Sequence, residues 1–306
     1  MKAPLFQGTC TALVTPFRED EINYEMLEIL LQRQIDAGIK AVVISGTTGE
    51  ASTLTDKEKI QLVQHSKEFA GDRLKIIAGT GTNNTKHSVY LTKAAADHGA
   101  DGILAVCPYY NKASDSGLIA HFTSISDAVS LPIILYNVPS RTGVDISVKV
   151  YKELSFIQNI IGIKEASTSI GKIVTIRSQC GDDLYIWAGN DNMAVPTMAV
   201  GGIGVISVLS NVFPELTQRM MQYALNGDFH NAAQIQCAAS GFCDLLFSEV
   251  NPIPVKAVMR LLGYDCGSCR LPLTDLAEEK TGVLKNFLDK IEDERTIISD
   301  MFGRCC

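Results

Sequence analysis

Lys164 is the residue whose position in the sequence points most directly to chemistry. It follows the apolar run Ile160-Ile161-Gly162-Ile163, which is typical of a buried β-strand. A lysine at the end of such a strand is partly removed from water, which disfavours the ammonium form and favours the neutral amine that attacks carbonyl groups. A lysine that reaches back to solvent or pairs with a glutamate fits the same position. The pattern therefore indicates either a Schiff-base nucleophile or an ordinary strand-end lysine.

Two further candidates follow the preceding apolar run. Tyr136 would bring a phenol close to Lys164 as a proton shuttle, although a packed core tyrosine fits the position equally well. Arg141 lies in a loop of Pro, Ser and Gly residues, where a guanidinium group can hold a carboxylate through two N–H groups. A solvated loop arginine is the ordinary alternative.

A turn bracketed by glycines, Gly46-Thr47-Thr48-Gly49, adds hydroxyl groups after an earlier apolar run. Together with the backbone N–H groups of the turn, Thr47 and Thr48 are suited to hold a small carboxylate. No Gly-Lys-Ser/Thr motif follows, so the turn is not a P-loop. Glycine turns are common in proteins of many functions, so the turn alone does not identify a carboxylate site.

The histidines argue against metal chemistry. All five, His65, His87, His98, His121 and His230, fall on predicted helices or their flanks rather than at strand ends. A metal-dependent aldolase or a Ser-His-Asp hydrolase would need histidines there. The sequence favours amine catalysis, and we expect no metal and no cofactor.

The elements that must position these residues recur along the chain as apolar runs followed by helical patterns. Eight units of this kind predict a (β/α)₈ TIM barrel, in which active sites lie at the carboxyl ends of the strands. An open doubly wound sheet is the alternative. The predicted strands are Cys10–Thr15, Ala41–Ser45, Lys75–Gly79, Gly102–Cys107, Pro132–Asn137, Ile160–Lys164, Leu184–Ala188 and Gly204–Leu209.

Sequence patterns typical of helices lie between the predicted strands. Asn23 is a candidate N-cap, Thr55 and Glu58 form a capping-box pattern, and Pro214 fits the first turn of a later helix. Past Phe213 the strand signal ends, and residues 215–306 are predicted to be helical. We expect a catalytic barrel over residues 1–225 and a helical C-terminal extension over residues 226–306, packed on the barrel.

Composition narrows the classes of partner. The 306 residues carry 27 basic and 34 acidic side chains, a formal charge of −7, which disfavours nucleic acid and anionic membrane surfaces. The uncharged stretch 192–214 is long enough to cross a bilayer, but Pro196 and Gly201-Gly202 favour a short helix, a turn and a strand. No signal peptide is visible, so we expect a soluble cytoplasmic protein.

Nine cysteines are spread along the chain, and reduced thiols are expected. Cys266-Gly-Ser-Cys269 is the single CxxC motif, and the chain ends in Cys305-Cys306. No second CxxC or nearby histidine completes a structural zinc pattern. The role of the cysteines stays open.

Taken in order, several motifs resemble the dihydrodipicolinate synthase/N-acetylneuraminate lyase family, the pyruvate-dependent class I aldolases. The resemblance covers essentially the whole chain, and the arginine of the loop at 136–143 favours the synthase branch over the sialic-acid lyases. The motifs are GTTGE (46–50), AGTGTNN (78–84), PYYN (108–111), YNVPSRTG (136–143), IGIKEAS (161–167), GGIGVISV (201–208), NPIPVK (251–256) and RLPL (270–273).

The resemblance implies a lyase that condenses pyruvate with L-aspartate 4-semialdehyde, the entry step of lysine and diaminopimelate biosynthesis. The alternatives are another class I pyruvate aldolase of the same family and a non-catalytic sensor barrel. Lys164 would form an imine with pyruvate, and Tyr136, Thr48 and Tyr110 would relay protons. Thr47 and Thr48 would hold the pyruvate carboxylate, and Arg141 that of the semialdehyde. Backbone groups near Gly189 and Ile206 would line the pocket. Tyr110 would come from a neighbouring subunit, which implies a homo-oligomer, commonly a tetramer built as a dimer of dimers.

One departure from the family bears on regulation. Lysine-inhibited members bind free lysine in a pocket at the dimer interface, to which Asn83 and Tyr109 correspond here. Lys59 and His87 stand where a histidine and a glutamate would face the ligand, and Asp56 replaces another histidine. A fixed cation repels a cationic ligand, so weak or absent feedback inhibition by lysine is expected.

Overall fold

Eight parallel strands close into a barrel, which confirms the predicted (β/α)₈ fold. The computed structural model of the chain describes residues 2–289. Neighbouring strands of the barrel pair in chain order, and the first strand also pairs with the last, which closes the barrel. The strands are β1 (Gly8–Ala12), β4 (Ala41–Ile44), β5 (Lys75–Gly79), β6 (Gly102–Val106), β7 (Ile133–Asn137), β8 (Ile160–Glu165), β9 (Tyr185–Ala188) and β10 (Gly204–Ser207); β2 (Phe17–Arg18) and β3 (Glu21–Ile22) form a separate antiparallel pair.

The strands are continuously apolar because both of their faces are covered. In β4, Ala41 and Val43 belong to the cluster inside the barrel, whereas Val42 and Ile44 pack with the surrounding helices. The ring of Phe6 stacks on Trp187 within the inner cluster, with 5.0 Å between ring centroids. Side chains therefore fill the interior of the barrel, and the space for a binding site lies at the surrounding loops.

The predicted helix starts are confirmed. The Asn23 side chain accepts a hydrogen bond from the Met26 N–H, Thr55 and Glu58 form a complete capping box, and Pro214 lies in the first turn of the helix Pro214–Leu225. The helices of the barrel are α1 (Tyr24–Asp36), α2 (Asp56–Ala70), α3 (Thr85–Asp97), α4 (Asp115–Ser126), α5 (Pro139–Thr142), α6 (Val148–Leu154), α7 (Ile170–Cys180), α8 (Ala194–Ala199) and α9 (Pro214–Leu225).

The C-terminal region contributes α10 (Phe229–Leu246), α11 (Ile253–Leu261) and α12 (Glu278–Asp289). The expectation that residues 215–306 are helical is wrong for residues 262–277, which are irregular. Gly263 and Gly267 have φ values of 88° and 65° there, outside the helical region. A Cβ on Gly267 would lie 2.1 Å from the Phe17 carbonyl oxygen, so this segment packs closely against β2. The predicted domain boundary stays a prediction, and residues 290–306, with Cys305 and Cys306, lie outside the described residues.

The uncharged stretch 192–214 contains α8, a turn and β10, as predicted. None of the helices within residues 2–289 has the length and apolarity needed to span a bilayer.

Candidate active site

Lys164 and Tyr136 lie side by side on neighbouring strands. Lys164 is near the carboxyl end of β8, directly opposite Tyr136 in the register of β7 and β8. Its side chain is buried, with 5% of the residue exposed, and Nζ lies 4.5 Å from the centroid of the Tyr136 ring. A lysine that reached solvent would not show this burial, and the amine is instead held over an aromatic ring inside the barrel.

The buried carboxylate of Asp191 interacts with the charge of Lys164. Asp191 follows β9, and its Oδ2 accepts hydrogen bonds from the N–H groups of Val208 and Leu209, each at 3.0 Å. Burial raises the pKa of Asp191, while hydrogen bonds from Ser207 and these N–H groups and the charge of Lys164 oppose the rise. No sequence pattern gave Asp191 a role, because only the folded barrel brings its charge near that of Lys164.

A cavity of about 300 Å³ opens beside the Tyr136 ring at the carboxyl ends of the strands. Thr47, Tyr136 and Arg141 are among its wall residues, together with Asn251 of the C-terminal region. The Arg141 guanidinium donates to the Asn251 carbonyl oxygen at 3.3 Å. Three of the predicted site residues thus converge on one cavity. Lys164 is not among the residues that line it, but its Nζ lies 4.5 Å from the ring of Tyr136, which is.

Thr48 is buried next to this cavity. Its Oγ1 accepts a hydrogen bond from Asn251 Nδ2 at 2.9 Å. The turn that carries it is bracketed by Ser45 and Glu50, which adopt positive φ values of 55° and 57°. Non-glycine residues rarely occupy this region, and they do so where the surroundings hold them in place. The turn is therefore a fixed structure rather than a loose connection.

The remaining predicted site residues lie apart from the cavity wall. The Gly189 N–H donates to the Glu165 carbonyl oxygen at 2.7 Å, and Ile206 is buried in the same inner cluster as Tyr136. Tyr110 has a φ of 72° and is 89% exposed, and it does not line the cavity of its own chain. Their proposed roles in binding and catalysis stay predictions.

A charged network joins the 46–50 turn to the C-terminal region. Lys256 Nζ of α11 donates to Glu50 Oε1 at 2.8 Å, and both side chains are fully buried. The other Glu50 oxygen accepts the N–H of Arg270, whose guanidinium binds Glu58. The Arg270 hydrogen bond lowers the pKa of Glu58 to about 2. Both motifs were visible in the sequence, but their partnership was not, because about 200 residues separate them.

The cysteines and histidines form no competing centre in the described part of the chain. Seven cysteines are free thiols, and burial raises the pKa of both Cys266 and Cys269 to about 12, which disfavours thiolate chemistry. No group of three or more His, Cys, Asp or Glu residues is placed to hold a metal ion within residues 2–289.

The residues that correspond to the lysine-binding pocket gather beside the cavity. His87 Nε2 pairs with Asp56 Oδ2 at 2.9 Å, and Lys59 lines the cavity together with Tyr109. Burial lowers the pKa of Lys59, and Asp56 opposes that change.

The fold and the site define a (β/α)₈ barrel with a buried lysine at the carboxyl ends of its strands. Residues 5–291 match the model of the dihydrodipicolinate synthetase family. The chain is 44% identical over 289 residues to a 4-hydroxy-tetrahydrodipicolinate synthase from Acetivibrio thermocellus, an alignment that covers 94% of this chain and 98% of the relative. The chain belongs to the dihydrodipicolinate synthetase family.

Two solved structures show the same architecture. Dihydrodipicolinate synthase from Aquifex aeolicus is 41% identical with a TM-score of 0.92, covering 94% of this chain and 98% of the other. The chloride-inhibited dihydrodipicolinate synthase from Acinetobacter baumannii, complexed with pyruvate, is 40% identical with a TM-score of 0.91, covering 92% and 98%.

Proposed function

We propose that this chain is a 4-hydroxy-tetrahydrodipicolinate synthase, a lyase that condenses pyruvate with L-aspartate 4-semialdehyde in lysine and diaminopimelate biosynthesis. The observation that carries the proposal is the register pair of Lys164 and Tyr136, with the amine 4.5 Å from the phenol ring beside a cavity. Membership of the family and the pyruvate bound to the Acinetobacter relative support it.

The chemistry starts at Lys164. Its neutral amine attacks the C2 ketone of pyruvate, and loss of water gives an imine. Removal of a C3 proton forms an enamine, and C3 then bonds to the aldehyde carbon of the semialdehyde, whose oxygen takes up a proton. The amino group of the semialdehyde attacks C2 and displaces the lysine nitrogen, which closes the ring and frees the enzyme. No metal or cofactor takes part in this sequence.

The neighbouring groups divide the other tasks. Tyr136, Thr48 and Tyr110 relay protons, as general acid–base steps require. Thr47 and Thr48 hold the pyruvate carboxylate, and backbone groups near Gly189 and Ile206 complete the pocket. Arg141, at the exposed side of the cavity, holds the carboxylate of the semialdehyde through its guanidinium group.

The active protein is proposed to be a homo-oligomer, a tetramer assembled as a dimer of dimers, located in the cytoplasm. The exposure of Tyr110 supports this assembly, since a relay residue that faces away from its own cavity can serve the site of a partner. Neither nucleic acid nor a membrane is a proposed partner.

Trapping of the imine tests the proposal. Incubation with pyruvate and borohydride should leave a stable mass adduct on Lys164, and Lys164→Ala should lose the adduct and most activity while it stays folded. A coupled assay with pyruvate and aspartate semialdehyde should show turnover. A folded wild-type protein without adduct would contradict every pyruvate-aldolase assignment, and turnover of sialic acid instead would assign a lyase of the same family.

Lysine should inhibit this enzyme weakly or not at all. Lys59 places a cation beside the corresponding pocket, and Asp56 is already paired with His87. Titration of lysine into the coupled assay checks this expectation. A clear inhibition curve at sub-millimolar lysine would contradict it.

A further inference from the structure

We propose that Glu165 is a positioning residue that aligns Lys164 with Tyr136 by joining the carboxyl ends of β7 and β8. The proposal rests on the proposed function, in which Lys164 forms an imine with pyruvate beside Tyr136. These two residues lie opposite each other in the register of the strands. The next pair is Asn137 and Glu165, and Asn137 Nδ2 donates a hydrogen bond to Glu165 Oε1 at 2.8 Å. This bond joins the strands one residue beyond Lys164 and Tyr136.

Glu165 lies on the outer face of the barrel wall. Successive side chains of a strand point to opposite faces, and Lys164 points inward, over the Tyr136 ring. The Glu165 side chain contacts Tyr151 of α6 and Lys172 of α7, two of the surrounding helices. Glu165 is not among the described residues that line the cavity beside Tyr136. It therefore acts on the reaction only through the strands that carry Lys164 and Tyr136.

The Glu165 carboxylate has hydrogen-bond donors at both of its oxygen atoms. Besides the Asn137 amide, Oε1 accepts the Ser167 N–H at 2.9 Å. Oε2 accepts the Tyr151 hydroxyl at 3.1 Å and lies 3.6 Å from Lys172 Nζ. Burial and the negative charge of Glu165 raise the pKa of Tyr151, so its phenol keeps the proton that it donates. Because the Glu165 side chain is fully buried, losing this acceptor would leave buried donors without a partner, which is costly.

The Asn137 side chain is held in one orientation. Its Oδ1 accepts the Ile146 N–H at 3.1 Å, so the amide nitrogen is the atom that faces Glu165. The same nitrogen donates to Asp145 Oδ1 at 2.8 Å. The bond between the strands therefore has a fixed donor on β7 and a fixed acceptor on β8.

The opposite ends of β7 and β8 do not dictate the register at the site. Ile133 pairs with Ile160. Ile134 then pairs with Gly162, so β8 carries one extra residue near its start. Such a bulge bends the strand and disrupts the local ladder of hydrogen bonds. A side-chain bond at the carboxyl ends, beyond the bulge, therefore helps to keep the two reacting side chains in register.

Glu165→Leu is the sharpest test, because it keeps the approximate size of the side chain and removes both acceptor oxygens. Lys164 and Tyr136 would be less firmly aligned, and a misplacement of about 1 Å can cost about a hundredfold in rate. We expect kcat to fall by about tenfold to hundredfold, and borohydride added at timed intervals should trap pyruvate on Lys164 more slowly. The KM for aspartate semialdehyde should change by less than about threefold, since Arg141 lies on the cavity wall and outside this contact.

Glu165→Gln is the conservative variant. Its amide oxygen can still accept from Asn137, and its NH2 group can donate to the Tyr151 hydroxyl. It should keep kcat within about threefold of the wild type. Equal losses in Glu165→Gln and Glu165→Leu would show that the charge matters rather than the contact between the strands, which would overturn the proposal. Wild-type kcat in Glu165→Leu would overturn it as well.

Asn159→Ala is the matched control for a merely structural effect. Asn159 precedes β8 at the opposite end of the barrel, and its amide donates to the carbonyl oxygens of Ser126 and Val129. The change should lower the free energy of unfolding in urea and leave the kcat of the folded enzyme at the wild-type value. A loss of kcat as large as that in Glu165→Leu would overturn the positioning role.

If Glu165→Leu fails to fold, Asn137→Ala removes the same bond from β7 and should lower kcat to the same extent. Where both fold, the double variant should lose no more than the worse single variant, and losses that multiply would refute the proposal. The borohydride adduct keeps the two hypotheses distinct. An adduct on Lys164 in the wild type with unaffected Glu165 variants refutes the positioning role alone, whereas a folded wild type without adduct refutes both.

Discussion

At the scale of single residues, the site depends on what burial does to polar groups. Lys164 is almost completely buried, yet it has an aromatic face at 4.5 Å and a buried carboxylate, Asp191, in its electrostatic surroundings. An isolated buried ammonium group would be costly, and these neighbours reduce that cost. The lysine is therefore accommodated in the barrel interior at its place in β8.

Arg141 should discriminate between the two substrates. Arg141→Ala removes the guanidinium group from the exposed side of the cavity and leaves Lys164 and Tyr136 in place. We expect the KM for aspartate semialdehyde to rise about tenfold to hundredfold, with pyruvate still trapped on Lys164 by borohydride. Steady-state kinetics with each substrate varied in turn measures the effect. Arg177→Ala is the control, because Arg177 lies on α7 and forms an exposed ion pair with Asp182. An equal rise in the KM for aspartate semialdehyde in this control would refute the proposed role of Arg141.

His121 should make stability depend on pH. Burial lowers the pKa of this histidine to about 4, below the 6.5 of an exposed one. Between these values the unfolded chain binds a proton that the folded chain does not, so stability is full above about pH 6.5 and falls as the pH drops toward 4. His121→Gln should flatten this part of the curve in urea unfolding from pH 4 to 7. His98→Gln at the exposed end of α3 should leave the pH dependence of stability unchanged. The same pH dependence in the wild type, His121→Gln and His98→Gln would contradict the assignment to His121.

At the scale of elements, the barrel and the C-terminal helices meet through a buried ion pair. Lys256→Met would leave Glu50 without its partner in the interior, and we expect the free energy of unfolding to fall by about 3–5 kcal/mol. The double variant with Glu50→Gln should recover part of this loss. Arg18→Met, in an exposed pair with Glu25, should cost less than about 1 kcal/mol. Urea denaturation compares the variants, and equal losses for Lys256→Met and Arg18→Met would contradict the expectation.

The elements themselves were largely predictable from the sequence. The run Lys75–Gly79 matches β5 at both ends, and the other barrel strands differ by one to three residues. Local patterns mark such strands because β-branched runs end at glycine or polar residues. The contacts of Asn251 with Thr48 and of Lys256 with Glu50 span 203 and 206 residues, and no local pattern records them. Residues 262–277 were misassigned because their conformation follows from packing against β2.

At the scale of the whole molecule, the exposed Tyr110 gives a test of assembly. Tyr110→Phe and Lys164→Ala should each be inactive alone. In a mixed dimer, one site would combine Lys164 of the first chain with Tyr110 of the second. Co-expression should therefore restore about a quarter of the wild-type activity through random pairing of the two chains. Activity no higher than that of either single variant would show that Tyr110 does not serve a partner's site.

The stacked rings of Phe6 and Trp187 have a consequence for how substrates and product reach and leave the active site. Both rings are buried in the filled interior, on the side from which β1 begins. Substrates and product are therefore expected to pass through the opening at the opposite end, where the cavity lies. Pyruvate bound at Lys164 would occupy the deeper position, and the semialdehyde would enter above it. If both substrates use this opening, pyruvate binds first, and the cyclic product leaves before the next pyruvate binds.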